Sequence, residues 1–206
     1  MSLEPASRLL LIRHAHADAD GRLCGRFDAR LSARGRQQLD TLRTARPRQP
    51  APAALYTSPL TRARDVAAVL AASWDLRPCE LDAASEIDCG TLEGMRLDEV
   101  RRDFPHLWQV NQAQMDGEFA WPGGESYVRF RARVLAAVTE TAARHPGQRV
   151  GVVTHAGVIS QVLGCLRGRP AAVWDRDRPD PLSATEVVWS NGSPVDVLRF
   201  NDPDWY

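Results

Sequence analysis

Two stretches decide the fold: RLLLIRHAH at residues 8–16 and RVGVVTHAG at residues 149–157. Each opens with a short apolar run that reads as a buried strand, Arg8 to Ile12 and Arg149 to Thr154. A histidine follows each, His14 and His155. Between them, helix and strand signals alternate. Ser32 is placed to cap a helix running to about Arg46, with Leu39 and Leu42 on its apolar stripe. PRQPAP at 47–52 is a turn. Ala53 to Thr57 is a strand, and Ser58-Pro59 opens the next helix with Ser as cap and Pro at its first position. That helix turns Val66, Val69 and Leu70 inward. Cys79 to Leu81 is a short third strand. A loop-rich stretch from about Ala83 to Gly124 holds one amphipathic helix, Leu97 to Asp103. Tyr127, Phe130, Val134 and Val138 recur at three- and four-residue steps and predict a long helix, ending at His145-Pro146-Gly147. Gly157 to Leu166 is a further helix. Val187 to Trp189 and Val195 to Phe200 pair around Asn191-Gly192. The alternation predicts one α/β domain over residues 1–206, a three-layer α/β/α arrangement around a largely parallel sheet, with a cap at about 83–124.

Composition narrows the function. Formal charge is zero, so neither nucleic acid nor an anionic membrane is expected as partner. No apolar run approaches a membrane span. The opening MSLEPASRLLLI, with Glu4 ahead of Arg8, does not read as a secretory leader, and the expected compartment is the cytoplasm. The four cysteines, Cys24, Cys79, Cys89 and Cys165, form no C-x-x-C and no zinc spacing, which fits reduced thiols. All 26 Lys+Arg residues are arginine. A P-loop lysine and a Schiff-base lysine are both excluded. Any phosphate must be held by guanidinium groups, which grip it bidentately and stay charged.

The chemistry gathers at strand ends. In open α/β sheets ligands bind beyond the carboxyl ends of the strands. Arg13-His14 and Thr154-His155 each follow a strand, so both imidazoles are expected in one crevice. Ser58 follows a third strand, and Arg62, one helical turn on, points to the same rim. Two guanidiniums neutralise a phosphate and its transition-state charge. A neutral imidazole, His14, is a competent in-line nucleophile, and nearby cations keep it neutral. A second imidazole, His155, donates to an equatorial oxygen when protonated. The leaving oxygen needs a proton from a carboxylic acid, and Glu86 is the candidate. Arg22, Arg26 and Arg30 are candidates to line the entrance. Phe104, Trp108, Phe119 and Trp121 read as packing of the cap, with an apolar wall for the leaving group as the functional alternative.

These segments together resemble the histidine phosphatase (phosphoglycerate-mutase-like) superfamily. The pieces are LLIRHAH at 10–16, GRLCGRFDARLSARGRQQ at 21–38, YTSPLTRARDVA at 56–67, SEIDCGTLEG at 85–94, WPGGES at 121–126 and VVTHAGVI at 152–159. The resemblance implies that His14 is the phosphorylated histidine. Arg13, Arg62 and His155 complete the phosphate pocket, and Glu86 is the proton donor and then the base for water. It implies no cofactor and no metal, and a small phosphorylated substrate. A homodimer is left open. One departure is Asp20, where the family commonly has a phosphate-binding Asn; main-chain N–H groups near Cys24 and Gly25 are expected to take over. The length of 206 residues fits the phosphatase branch better than the longer mutases. GRLCGRFDARLS and PGGES are similar to α-ribazole phosphatases, which implies α-ribazole phosphate as one substrate. Mutase-type phosphoryl transfer is the alternative. A rival from another class rests on His14-Ala15-His16-Ala17-Asp18, an H-x-H-x-D spacing that opens several zinc hydrolase sites.

Overall fold

The computed structural model describes residues 5–45 and 48–206. The expected helix end at Arg46, the first proline of the 47–52 turn and the reading of Glu4 lie outside the described residues. Six strands form one sheet in the order β3-β2-β4-β1-β5-β6. They are β1 (Ser7–Arg13), β2 (Ala54–Thr57), β3 (Pro78–Glu80), β4 (Arg149–Thr154), β5 (Ala184–Ser190) and β6 (Ser193–Asp202). The first four are mutually parallel; β5 and β6 extend the β1 edge antiparallel. Asn191 and Gly192 both take positive φ, 51° and 76°, which is what a tight hairpin between twisted strands demands.

The unbroken apolar run of β1 is explained by burial on both faces. Leu10 and Ile12 pack toward α1 (Ala33–Thr44) and α2 (Thr61–Trp74), with Leu39, Leu42, Val66 and Leu70. Leu9 and Leu11 pack toward α5 (Tyr127–Ala143) and α6 (Ala156–Leu166), with Phe130, Val134, Ile159 and Leu163. All four β1 side chains are fully buried, each stabilising the fold by about 1.5–3 kcal/mol. The three expected layers are therefore present.

Local signals account for most boundaries. The Ser32 hydroxyl accepts from the Gly35 N–H at 3.1 Å and starts α1. Ser126 does the same for α5 through Arg129 N–H. Ser58-Pro59 behaves differently from expectation. The helix begins at Thr61, and its first donor is satisfied by Asp28, whose Oδ1 accepts from Thr61 N–H at 2.8 Å. Ser58 is thereby released for another partner, described below.

The cap is more helical than its sequence suggests. Besides α3 (Leu97–Asp103), it contains α4 (Pro105–Ala113) and single 3₁₀ turns at Asp82–Ala84 and Gly90–Leu92. Pro105, directly after the Phe104 that closes α3, is the first residue of α4. The cap has its own apolar cluster, with Leu92, Val100, Phe119, Trp121 and Tyr127 buried. Among the described residues, no helix is long and apolar enough to cross a membrane.

Candidate active site

The sheet register brings the two histidines together. Arg13 pairs with Thr154 across β1 and β4, and His14 N–H continues the ladder to Thr154 O at 2.9 Å. His14 and His155 therefore leave adjacent strands side by side, with ring centroids 5.1 Å apart. On the other side of β4, Ser58 N–H bonds Val153 O at the end of β2. The Ser58 hydroxyl lies 2.7 Å from His155 Nε2.

The tautomer of His14 follows from its partner. Nδ1 lies 2.7 Å from the Ala15 carbonyl oxygen, which can only accept, so Nδ1 carries the proton. In a neutral ring that leaves the Nε2 lone pair free. Neutrality is itself enforced. Burial first, then the Arg62 and Arg13 charges, hold the His14 pKa well below its usual 6.5. His155 is fully buried and is lowered in the same direction by burial, then by His14, Arg62 and Arg13. The sequence reading had His155 protonated. Here it is neutral near pH 7, and a protonated ring would need a phosphate dianion nearby to offset the arginines. Its Nδ1 is buried without a partner, as is Arg13 Nε.

The two arginines are fixed by main-chain carbonyls. Arg13 Nη1 donates to Pro179 O at 2.5 Å, and its pKa falls to about 10 through burial, then repulsion from Arg178. It remains a cation at neutral pH. Arg62, 1 % exposed, donates from Nη1 to Phe27 O and from Nη2 to Gly25 O. That loop is in turn clamped by Glu93, whose carboxylate accepts from the N–H groups of Gly25, Arg26, Phe27 and Cys89. Glu93 was overlooked in the sequence although it sits in the same SEIDCGTLEG stretch as Glu86.

Glu86 reaches the site from the cap segment, just after the turn at Asp82–Ala84. Its Oε2 accepts from Gly157 N–H at 3.0 Å, in the first turn of α6, and Oε1 from Ile87 N–H at 3.1 Å. A Cβ at position 157 would lie 2.1 Å from Glu86 Oε1, so only glycine leaves room for this carboxylate.

Other expectations need correction. The Gly25 N–H is taken by Glu93, so it is not a phosphate donor; none of the main-chain bonds of this loop uses the Cys24 N–H. The Cys24 side chain lines the adjoining cavity and its pKa is raised by burial. Asp20, with φ 45° and its side chain 69 % exposed, turns away toward Arg22 and Arg96 at 3.8 and 3.7 Å. Arg22 stays at the cavity, anchored to Gly94 O. Arg26 pairs with Asp88 and does not line it, and Arg30 lines a separate surface depression with Asp28 and Asp65. The H-x-H-x-D segment does not converge: His14 faces His155, His16 Nδ1 bonds the Ser32 hydroxyl, and Asp18 is exposed. Among the described residues, no group of three or more His, Cys, Asp or Glu is placed to hold a metal.

Beside Glu86 opens a cavity of about 270 Å³, walled by Trp121, Tyr127, Phe130 and Trp174, with Asn111 and Arg178. Trp174 and Arg178 belong to the 167–182 loop, which gave no functional signal in sequence. Its position comes from one long-range anchor and from ion pairs within the loop. Arg131 donates to Arg169 O and Pro170 O, and buried Asp177 pairs with Arg167 and Arg169. A larger surface groove, about 750 Å³ between α1 and α2, is lined by Arg36, Asp40, Arg43 and Asp65 and contains neither histidine nor cysteine.

The sequence profile of the histidine phosphatase superfamily (branch 1) matches residues 9–203, nearly the whole chain. The chain belongs to the histidine phosphatase superfamily. Its sequence is similar to phosphoserine phosphatase 1 of Hydrogenobacter thermophilus, 32 % identical over 72 % of this chain and 70 % of that protein. It is also similar to a metal-independent phosphoserine phosphatase of Arabidopsis thaliana, 28 % identical over 76 % of this chain and 67 % of that one. In structure it superposes on the α-ribazole phosphatase of Shigella flexneri with a TM-score of 0.81, covering 95 % of this chain and 96 % of that one. At 23 % identity, that likeness speaks for the fold alone. The histidine phosphatase fold thus places the imidazole pair at the carboxyl ends of two adjacent parallel strands, with β4 entering between β2 and β1.

Proposed function

We propose that this histidine phosphatase hydrolyses phosphomonoesters in two steps through a phosphohistidine, without a metal. The observation that carries the reading is the His14 ring: its proton is committed to the Ala15 carbonyl, and its other nitrogen is a neutral nucleophile beside two fixed guanidiniums. Nε2 attacks phosphorus, the ester P–O bond breaks, and Glu86 passes its proton to the leaving oxygen. Water then attacks phosphorus, the P–N bond breaks, and Glu86 accepts the water's proton. Arg13 and Arg62 balance the charge on the three equatorial oxygens, and His155 adds to them once the bound dianion raises its proton affinity. Substrates are small phosphorylated metabolites, with O-phosphoserine and α-ribazole phosphate as the two suggested by relatives and by sequence.

The test is turnover of p-nitrophenyl phosphate in the presence of a chelator, with release of inorganic phosphate. The His14→Ala variant is expected to lose turnover by at least about 10⁴-fold, together with acid-labile phosphate labelling. Undiminished turnover in that variant would overturn the nucleophile. Phosphate transfer to a second phosphoglycerate in preference to water would replace hydrolysis by mutase chemistry.

A further inference from the structure

The cavity beside Glu86 has Arg22 and Arg178 among its lining residues and aromatic rings on several sides, and one uncharged amide side chain is built into that aromatic wall. Asn111, on α4, is only 7 % exposed. Asparagine is a poor helix former, and the surrounding cap cluster would accept an aliphatic residue. Its orientation is set by Tyr127, whose hydroxyl donates to Asn111 Oδ1 at 2.5 Å. Burial raises the Tyr127 pKa, so the phenol keeps the proton that it donates. The Asn111 oxygen is therefore engaged. The amide nitrogen has no acceptor in the protein, and it is not sealed off with the buried unpartnered atoms. It opens onto the cavity with two N–H donors. Facing an open cavity, that donor is met by water in the free enzyme and stands ready for a ligand acceptor that displaces the water.

We propose that Asn111 determines specificity: its amide N–H donates to an acceptor (a carbonyl, ring nitrogen or ether oxygen) on a ring-bearing leaving group lying between Trp121, Tyr127 and Trp174. This rests on the phosphomonoesterase reading and names its substrate class. Three features support a ring. The cavity is larger than a three-carbon leaving group fills, its walls are largely aromatic, and it carries an uncharged amide donor beside the arginines Arg22 and Arg178. A small amino-acid alcohol would leave those walls in contact with water.

The experiment measures kcat/KM for phenyl phosphate and for its 3- and 4-acetyl derivatives, which add a carbonyl acceptor. O-phosphoserine serves as the small comparison. Ratios between variants cancel the intrinsic reactivity of each ester. Asn111→Asp keeps an oxygen for Tyr127 and removes the donors. The double variant Asn111→Leu with Tyr127→Phe removes the whole polar pair and keeps the cap packed. In both, the preference for at least one acetyl ester over phenyl phosphate should fall about tenfold relative to the parent enzyme. An unchanged ratio in both variants, with melting temperatures near that of the parent, overturns the role of Asn111. If the parent enzyme hydrolyses none of these esters, or does so equally well as His14→Ala, the phosphomonoesterase reading itself fails. Strong preference of the parent for O-phosphoserine over every ring ester overturns the substrate class alone.

Discussion

The floor and the roof of the cavity are built on different principles. On the floor, the histidines and arginines lie at or after the ends of β1, β2 and β4, Glu86 joins them from the cap segment, and main-chain atoms hold all but His155: Ala15 O on His14, Pro179 O on Arg13, Gly25 O and Phe27 O on Arg62, Gly157 N–H on Glu86. The roof is held by side-chain packing, Phe119 on Trp121 with centroids 5.1 Å apart and both on Tyr127 through one apolar cluster. Main-chain anchorage survives changes of neighbouring side chains, whereas a packed roof can be refashioned by substitution. Chemistry is thus placed where the fold is hardest to alter, and selectivity where it is easiest.

Substitutions can break this contrast, starting with the floor. Arg62→Ala removes a buried cation and strands two carbonyls, and kcat/KM should fall about 10³-fold for every ester alike, read in steady-state assays. A loss confined to one ester would move Arg62 into the roof. In the roof, Trp121→Ala should destabilise the protein by about 3–5 kcal/mol in urea unfolding. Its kcat on phenyl phosphate should fall less than that of Arg62→Ala; an equal loss would erase the distinction.

The smallest effect concerns acid. The two buried imidazoles are pushed below the pKa near 6.5 that they have in the unfolded chain. Below pH 6.5 the unfolded state binds more protons, so stability is present above that pH and lost as pH falls. Each group contributes at most about 1.4 kcal/mol per pH unit. Urea titrations between pH 7.5 and 5 should show a shallower loss for His155→Gln than for the parent protein; equal slopes would mean that the ring titrates alike in the folded and unfolded chain.

The floor was legible in the sequence because its rule is topological. Residues that follow parallel strands share a rim, whatever lies between them, and His14, His155 and Arg62 obeyed that rule. Ser58 obeyed it too, though as a partner of His155 and not as a helix cap. Direction within the rim was not legible. Nothing in the order of residues reveals that the Gly25 N–H is spent on Glu93, or that Asp20 faces Arg96. In the roof, α4 was hidden because Phe104 ends one helix and starts the next, with Pro105 immediately after it. Trp174 and Arg178 were hidden because Arg131, 38 residues from its partner, fixes their loop, which Asp177 closes on itself.

The four-donor grip of Glu93 has one further consequence. It fastens the segment around Gly25 to the turn at Cys89, some 65 residues away, and through Gly25 and Phe27 it holds the guanidinium of Arg62 before any ester arrives. An anion entering such a preset cradle finds its charges already aimed, so little of its binding energy goes into ordering the protein. Capture of the phosphate end should therefore resemble a key meeting a cut lock, leaving adaptation to the other end of the molecule.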